Sequence, residues 1–203
     1  EIVETRKYSR GQTIFTEGEK AEGFYVLKEG RLKVFKLSSE GKEQILHIFG
    51  PGEPFGEVAV FTGSQYPAHA EALDPAEALF FPRRRFIDLV MKDPSLSMNM
   101  LAVLSRRLKY FTQLVENLSL KEVPQRLAAY ILVLADVKTK SDEVELDIAK
   151  GRLASLLGTI PETLSRILNK MTTQGYIEVE GRHIRVLDRE SLESLAMGEK
   201  LAI

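Results

Sequence analysis

Glycines divide this chain into two unlike parts, and that division constrains its fold more than any other feature of the sequence. Nine of the fourteen glycines fall within the first 63 residues, where they separate runs of strand length. Four of these runs alternate or are largely apolar: residues 24–27, 32–37, 44–49 and 76–81. Short strands at this spacing, separated by turn residues, are typical of an all-β sandwich or barrel.

Residues 94–120 contain no glycine and follow a helical pattern instead. Apolar residues recur there at alternating spacings of three and four, which makes a two-column heptad seam: Leu101, Leu104, Leu108, Phe111, Val115 and Leu118. Such a seam favours self-association into a parallel dimer. A helix that packs only on its own domain usually shows a wider apolar stripe, and Met98, Met100 and Val103 do widen this one. We therefore expect the helix to pack against both a partner and the β-domain.

The last third of the chain reads as two helices joined by a tight turn, followed by a hairpin. Ala154 is small where two helices must approach, and Gly158, four residues later, supplies the backbone freedom that a tight turn needs. Residues 161–173 predict the second helix, whose apolar face is expected to hold Ile160, Leu164, Ile167 and Leu168. Residues 176–187 alternate on both sides of Gly181, as a β-hairpin does. This order predicts a winged helix-turn-helix.

The second helix of that motif has a polar face suited to the edges of DNA bases. The residues on this face are Glu162, Ser165, Arg166, Asn169 and Lys170. An arginine fork can pair with guanine, and a glutamate can accept from a base amino group, in the major groove. Cations for the phosphate backbone are expected from Arg152, Arg182, His183 and Arg185. The alternative is that Glu162 and Arg166 form a surface pair one helical turn apart.

Composition narrows the remaining classes of protein. The chain has no cysteine, which excludes disulfides, cysteine-based zinc fingers and iron–sulfur clusters within it. The net charge of -1 gives no global argument for nucleic acid, so evidence for DNA binding must be local. There is no apolar run of membrane-spanning length and no signal-peptide pattern, so we expect a cytoplasmic protein with no membrane contact. The three histidines do not supply the metal cluster of a cupin-type enzyme, and no metal is expected.

Along its whole length the chain resembles the Crp/Fnr family of bacterial transcription regulators. Residues 52–57 (Gly-Glu-Pro-Phe-Gly-Glu) resemble part of that family's cyclic-nucleotide-binding-type barrel, and the heptad seam resembles its dimerisation helix. Residues 161–166 (Pro-Glu-Thr-Leu-Ser-Arg) resemble the Glu-x-x-Ser-Arg motif of the Fnr and Dnr branches, which reads TTGA-type half-sites in an inverted repeat. The cAMP-reading branch has Arg at the position of Pro161 and Gly at that of Ser165. The resemblance therefore favours an Fnr-like operator.

The resemblance implies an α+β fold in three parts. Residues 1–88 would form a jelly-roll (double-stranded β-helix) sensor domain, residues 89–118 a long dimerisation helix, and residues 119–203 a winged helix-turn-helix domain. It also implies a regulator rather than an enzyme, which binds double-stranded DNA as a homodimer, responds to a small effector and has RNA polymerase as a partner. A cAMP-responsive Crp-like regulator and a cupin-type metalloenzyme are the alternatives.

The sensor region departs from the family's pattern for cyclic nucleotides. Gly56-Glu57 matches the part that reads the ribose, but Pro67 and Ala68 stand where the family has Arg and Ser or Thr for the phosphate. Proline has no N–H to donate, and burying a phosphate without a counter-charge is costly. We expect that cAMP does not bind and that Glu57 bonds to backbone at a turn. The residues expected around an effector are Phe55, Gly56, Glu57, Val58, Tyr66, Pro67, Ala68 and His69.

Haem is a second effector to consider, because the resemblance extends to the Dnr-like branch, to which haem-based sensing of nitric oxide is attributed. Haem needs an axial ligand, and the candidates are His69, beside the altered pocket, and His47, in a strand. His183 lies in the wing, where a phosphate contact is expected instead. Histidines in such places are more often ordinary half-buried side chains than ligands, so the effector stays open.

Overall fold

The computed structural model of the protein describes residues 3–63, 65–138 and 142–201. They form two compact units that meet in the sequence between Arg107 and Leu108. In the described part of the first unit the strands are β1 (Glu4–Tyr8), β2 (Thr13–Phe15), β3 (Gly23–Glu29), β4 (Leu32–Leu37), β5 (Glu43–Phe49), β6 (Pro54–Phe55), β7 (His69–Ala72) and β8 (Ala76–Pro82). The four strands expected from the glycine spacing are all present.

These strands build two antiparallel sheets, and the predicted β-barrel is confirmed. One sheet has the order β1-β8-β3-β6 and the other has the order β2-β7-β4-β5. Aromatic side chains fill the space between them, with ring centroids 3.9 Å apart for Phe15 and Tyr66 and 5.0 Å apart for Tyr25 and Phe55. A Cβ at Gly23 would lie 2.2 Å from the carbonyl oxygen of Phe81, so only glycine allows β3 and β8 to approach as they do.

Three helices accompany the barrel: α1 (Glu57–Thr62), α2 (Arg83–Lys92) and α3 (Pro94–Leu120). The start of α3 packs on the β-domain, because Met100 lies in one buried cluster with Phe24 of β3 and Phe86 of α2. This confirms that the helix uses part of its wider apolar stripe within its own domain. The sequence analysis missed α1, because six residues are too few to show a helical period.

The second unit has the predicted order of a winged helix-turn-helix. Its described elements are α4 (Val123–Lys138), β9 (Glu143–Glu145), α5 (Lys150–Leu156), α6 (Pro161–Thr173), β10 (Ile177–Glu180), β11 (His183–Val186) and α7 (Arg189–Met197). The wing is an antiparallel sheet of order β10-β11-β9. The bounds of α6 are those predicted, and the hairpin turns at Gly181 with a φ of 63°. The division of the chain at residues 88 and 118 stays a prediction.

Gly158 makes the turn between α5 and α6 with a φ of 68°, in the left-handed region that side chains disfavour. We expect Gly158→Ala to lower the free energy of unfolding by about 1–2 kcal/mol because of this backbone strain. The matched control is Gly151→Ala, since Gly151 lies inside α5 and an added Cβ meets nothing within 4 Å. The control should instead raise stability by about 0.5–1 kcal/mol. Urea unfolding followed by circular dichroism measures both, and equal effects would contradict the assigned turn.

Candidate DNA-binding surface and sensor region

The two helices of the motif pack through small and apolar side chains. Leu153 and Ala154 of α5 are buried, as are Leu164, Leu168 and Met171 of α6. The sequence analysis was wrong about Ile160, which precedes α6 and is 48% exposed. Met171 completes the buried face of α6 instead. Its helical spacing from Leu164 and Leu168 is a sequence signal that could have identified it.

The opposite face of α6 presents its polar side chains to solvent. Glu162, Ser165, Arg166 and Asn169 are exposed, and Lys170 is half-buried. The hydroxyl of Ser165 donates to the Pro161 carbonyl at 2.9 Å, which leaves the oxygen lone pairs turned outward to accept. Within the part of the chain that the structure describes, Glu162 and Arg166 form no ion pair with each other. The surface pair that was the alternative reading of these residues is therefore absent.

The wing differs from the cationic surface expected of it. In the register of the sheet, Arg185 stands between Glu178 and Glu143, and His183 stands between Glu180 and Glu145, all on one face. Arg185 is ion-paired with Glu178, and this hydrogen bond raises the pKa of the guanidinium above its usual value. The expectation failed for Arg185 because the glutamates come from β9 and β10, the two strands on either side of β11. The cationic character of the described wing is concentrated in the exposed turn, at Arg182.

In the sensor region the carboxylate of Glu57 is almost fully buried, at 1% exposure. The guanidinium of Arg107, on α3, pairs with it and also donates to the Pro54 carbonyl at 2.7 Å. The same guanidinium lies 4.9 Å from the ring centroid of Phe49. The expected backbone contact of Glu57 at a turn is thus replaced by an ion pair with α3. Local sequence gave no sign of it, because fifty residues separate the two side chains.

The other residues expected around an effector are divided between the barrel core and the surface. Phe55, Tyr66 and Ala68 are buried, and the Tyr66 hydroxyl donates to the Gly23 carbonyl at 2.8 Å. Pro67 is exposed, and its carbonyl accepts from the Nζ of Lys36 at 3.0 Å; Val58 is also exposed. Gly56, with a φ of 75°, forms the turn into α1. Packing in the aromatic core withdraws Phe55 and Tyr66 from solvent, and the effector lining of eight residues stays a prediction.

Both candidate haem ligands make contacts within the barrel. Nδ1 of His69 accepts from the Glu17 N–H at 3.3 Å, and its ring stacks on Phe35 with centroids 5.2 Å apart. Nε2 of His47 lies 3.4 Å from a carboxylate oxygen of Glu53, and this contact lowers the pKa of Glu53 below its usual value. These contacts engage one nitrogen of each ring, as is also common for histidines that bind a metal through the other nitrogen, so haem stays one of the candidate effectors.

Residues 3–63, 65–138 and 142–201 were searched for metal-binding groups and for membrane-spanning helices. No three histidine, aspartate or glutamate side chains there form a group that could hold a metal ion. No helix there combines the length and the hydropathy needed to cross a bilayer.

Comparison with known proteins agrees with this arrangement. Residues 5–93 match the model of the cyclic nucleotide-binding domain, and residues 125–195 match that of the Crp-like helix-turn-helix domain. A sensor barrel of this type followed by such a motif defines a transcription regulator.

Individual relatives identify the family. The chain is 30% identical over 200 residues to the fumarate and nitrate reduction regulatory protein of Escherichia coli, covering 96% of this chain and 80% of that protein. It is 29% identical over 189 residues to the CRP-like cAMP-activated global transcriptional regulator of Mycobacterium tuberculosis, covering 91% and 84%. A solved transcriptional regulator of the CRP/FNR family from Thermus thermophilus superposes with a TM-score of 0.76 at 26% identity, covering 96% of this chain and 99% of that one. The chain belongs to the Crp/Fnr family of transcription regulators.

The ion pair between Glu57 and Arg107 gives a direct test of the sensor region. We expect Arg107→Ala to lower the free energy of unfolding by about 3–5 kcal/mol, because it leaves a buried carboxylate without a cation. The matched control is Arg106→Ala, since Arg106 is the exposed neighbour on the same helix and should cost less than about 0.5 kcal/mol. Chemical denaturation of both variants measures the difference. Equal stability of the two would contradict the pairing.

Proposed function

We propose that this protein is a regulator that binds an inverted-repeat operator with TTGA-like half-sites as a homodimer. The single observation that carries the proposal is the exposed face of α6, where Glu162 and Arg166 form no pair with each other. Because these two side chains are exposed and do not pair with each other, their charged groups are available to a ligand. RNA polymerase is the partner through which such a regulator would act.

The chemistry of α6 supports recognition of bases in the major groove. The guanidinium of Arg166 matches the two acceptors on guanine, and the carboxylate of Glu162 can accept from a base amino group. The outward lone pairs of the Ser165 hydroxyl can accept from a base amino group, and the hydroxyl can donate to a phosphate once it leaves the Pro161 carbonyl. Asn169, Lys170, Arg152 on α5 and Arg182 in the wing turn would contact the backbone and fix the register of the helix. The expected phosphate contact of His183 is not part of this proposal, because that side chain stands between Glu180 and Glu145.

The seam on α3 supports the homodimer. One of its columns is strongly exposed, at 55% for Leu101, 69% for Leu108 and 63% for Val115. The other column, Leu104, Phe111 and Leu118, is half-buried. Apolar side chains at this spacing remain in water unless a second helix covers them. A two-fold dimer formed in this way would match the symmetry of an inverted repeat.

The sensor barrel, in this proposal, does not respond to cAMP. Arg107 already satisfies Glu57, the residue that the family's pattern assigns to the ribose, and Pro67 supplies neither a charge nor an N–H for the phosphate. A nucleotide would have to break the buried ion pair, and the cation beside Pro67, Lys36, is already ion-paired with Glu17. We propose instead that a small effector other than a cyclic nucleotide acts on the same barrel.

The recognition role predicts that Arg166→Ala weakens operator binding by about tenfold or more, since a bidentate base contact contributes about 1–3 kcal/mol. The control is Arg10→Ala, which removes an exposed arginine from the turn between β1 and β2 and should leave the affinity within about twofold. Fluorescence anisotropy with a TTGA inverted repeat and a scrambled duplex measures both. Unchanged operator affinity in Arg166→Ala would contradict the assignment.

The altered nucleotide pattern predicts no heat of binding when cAMP or cGMP is titrated into the purified protein at micromolar concentrations. The physical reason is that Pro67 offers the phosphate neither a charge nor an N–H, and that Lys36 beside it and Arg107 at Glu57 are already ion-paired. Isothermal titration calorimetry is the measurement. A micromolar dissociation constant would show that the barrel is a nucleotide sensor after all.

A further inference from the structure

An apolar groove of about 320 Å³ opens in the first unit where α1, α2 and α3 meet. Phe61 of α1 and Val90 of α2 form one wall. The other wall is formed by four residues of α3: Ser97, Met100, Leu101 and Leu104. The hydroxyl of Ser97 is the one polar side-chain group among these six residues, so the groove suits an apolar occupant.

The four residues on α3 have a specific relation to the heptad seam. If Leu101 and Leu104 occupy positions a and d, then Ser97 is the preceding d and Met100 the preceding g. In a parallel two-stranded coiled coil each a or d side chain inserts as a knob into a hole made by four residues of the facing helix. For a knob at position a, those four residues are the d, g, a and d that line this groove.

We propose that the groove receives the partner subunit's Leu101, so that Phe61 and Val90 extend the dimer interface beyond α3. This inference rests on the homodimer of the proposed function and adds α1 and α2 to its interface. Leu101 is 55% exposed and Phe61 is 49% exposed, and both would be covered on association. Two-fold symmetry makes the contact reciprocal, because each copy donates one Leu101 and receives the other.

Continuity with the seam favours a second copy over a small apolar ligand. Leu101 and Leu104 belong to both surfaces, so a helix lying along the seam necessarily passes the mouth of the groove. The arrangement also has a consequence for sensing. Phe61 lies on the six-residue helix α1 that begins at Glu57, so a change at the Glu57–Arg107 pair would move the wall against which the partner packs.

The first test compares the dimer dissociation constants of three variants by sedimentation equilibrium. Phe61→Ala should raise the constant by about tenfold or more, because it removes the aromatic part of one wall at both symmetry-related sites. Leu101→Ala should raise it at least as much. Met91→Ala is the matched control: Met91 is 79% exposed beside Val90 but does not line the groove, and its loss should change the constant less than about twofold.

A second measurement does not depend on deleting the Phe61 ring, which also contacts Phe86 at a centroid distance of 6.1 Å. The chain has no cysteine, so introduced thiols are unique. Phe61→Cys protein is mixed with a size-tagged Leu101→Cys protein and treated with a short bis-maleimide, which links two nearby thiols. The proposal predicts a covalent dimer of one tagged and one untagged chain. Met91→Cys in place of Phe61→Cys should give far less of the mixed product.

The outcomes separate this proposal from the homodimer itself. In one outcome Leu101→Ala weakens the dimer, Phe61→Ala has the same dissociation constant as Met91→Ala, and no link forms between positions 61 and 101. The groove would then lie outside the interface, while the seam would still form it. If the native protein sediments as a monomer, the homodimer fails as well. Release of a small apolar molecule by Phe61→Ala, with no change in dimer affinity, would assign the groove to a ligand instead.

Discussion

The buried ion pair between Glu57 and Arg107 is the interaction on which the rest of the first unit depends. A carboxylate at 1% exposure is tolerated only beside a cation with well-formed hydrogen bonds, and Arg107 provides one while also bonding the Pro54 carbonyl. Because Arg107 lies one residue before Leu108 on α3, the pair fixes the rotation of that helix about its axis. With the arginine turned toward the barrel, the column of Leu101 and Leu108 is left exposed for a partner. Glu57, which stands at the ribose-reading position of the family's pattern, thus connects the barrel to the helix that carries the proposed dimer surface.

Elements and folds were predictable from the sequence, because short-range signals specify them. Glycine spacing located four of the eight described barrel strands, and the alternation around Gly181 located the wing hairpin. Contacts between distant residues were not predictable. Nothing near Glu57 indicates Arg107, and nothing within one strand shows that glutamates of β9 and β10 share a face with Arg185. Phe55 and Tyr66 read as pocket residues from their motif, but stacking in the aromatic core buries them.

The near-neutral composition and the proposed binding of DNA are reconciled by where the charges lie. The outward face of the wing sheet carries four glutamates among the described residues, and these oppose any approach of phosphate to that face. The polar face of α6 carries Arg166 and Lys170 against the single carboxylate of Glu162, and the turn of the wing carries Arg182. Binding would therefore rest on a small basic footprint, with few released counterions and a modest dependence of affinity on salt. Specificity would come from α6 rather than from general attraction to DNA.

The central claim, that two copies of α6 read an inverted repeat, is tested most directly by selecting operators from random DNA with the purified protein. The account predicts enrichment of a duplex with two TTGA-like half-sites in inverted orientation, spaced about one helical turn apart, and a complex whose mass corresponds to two chains per duplex. Enrichment of a single unrepeated site, one chain per duplex, or no enrichment above the starting pool would contradict it.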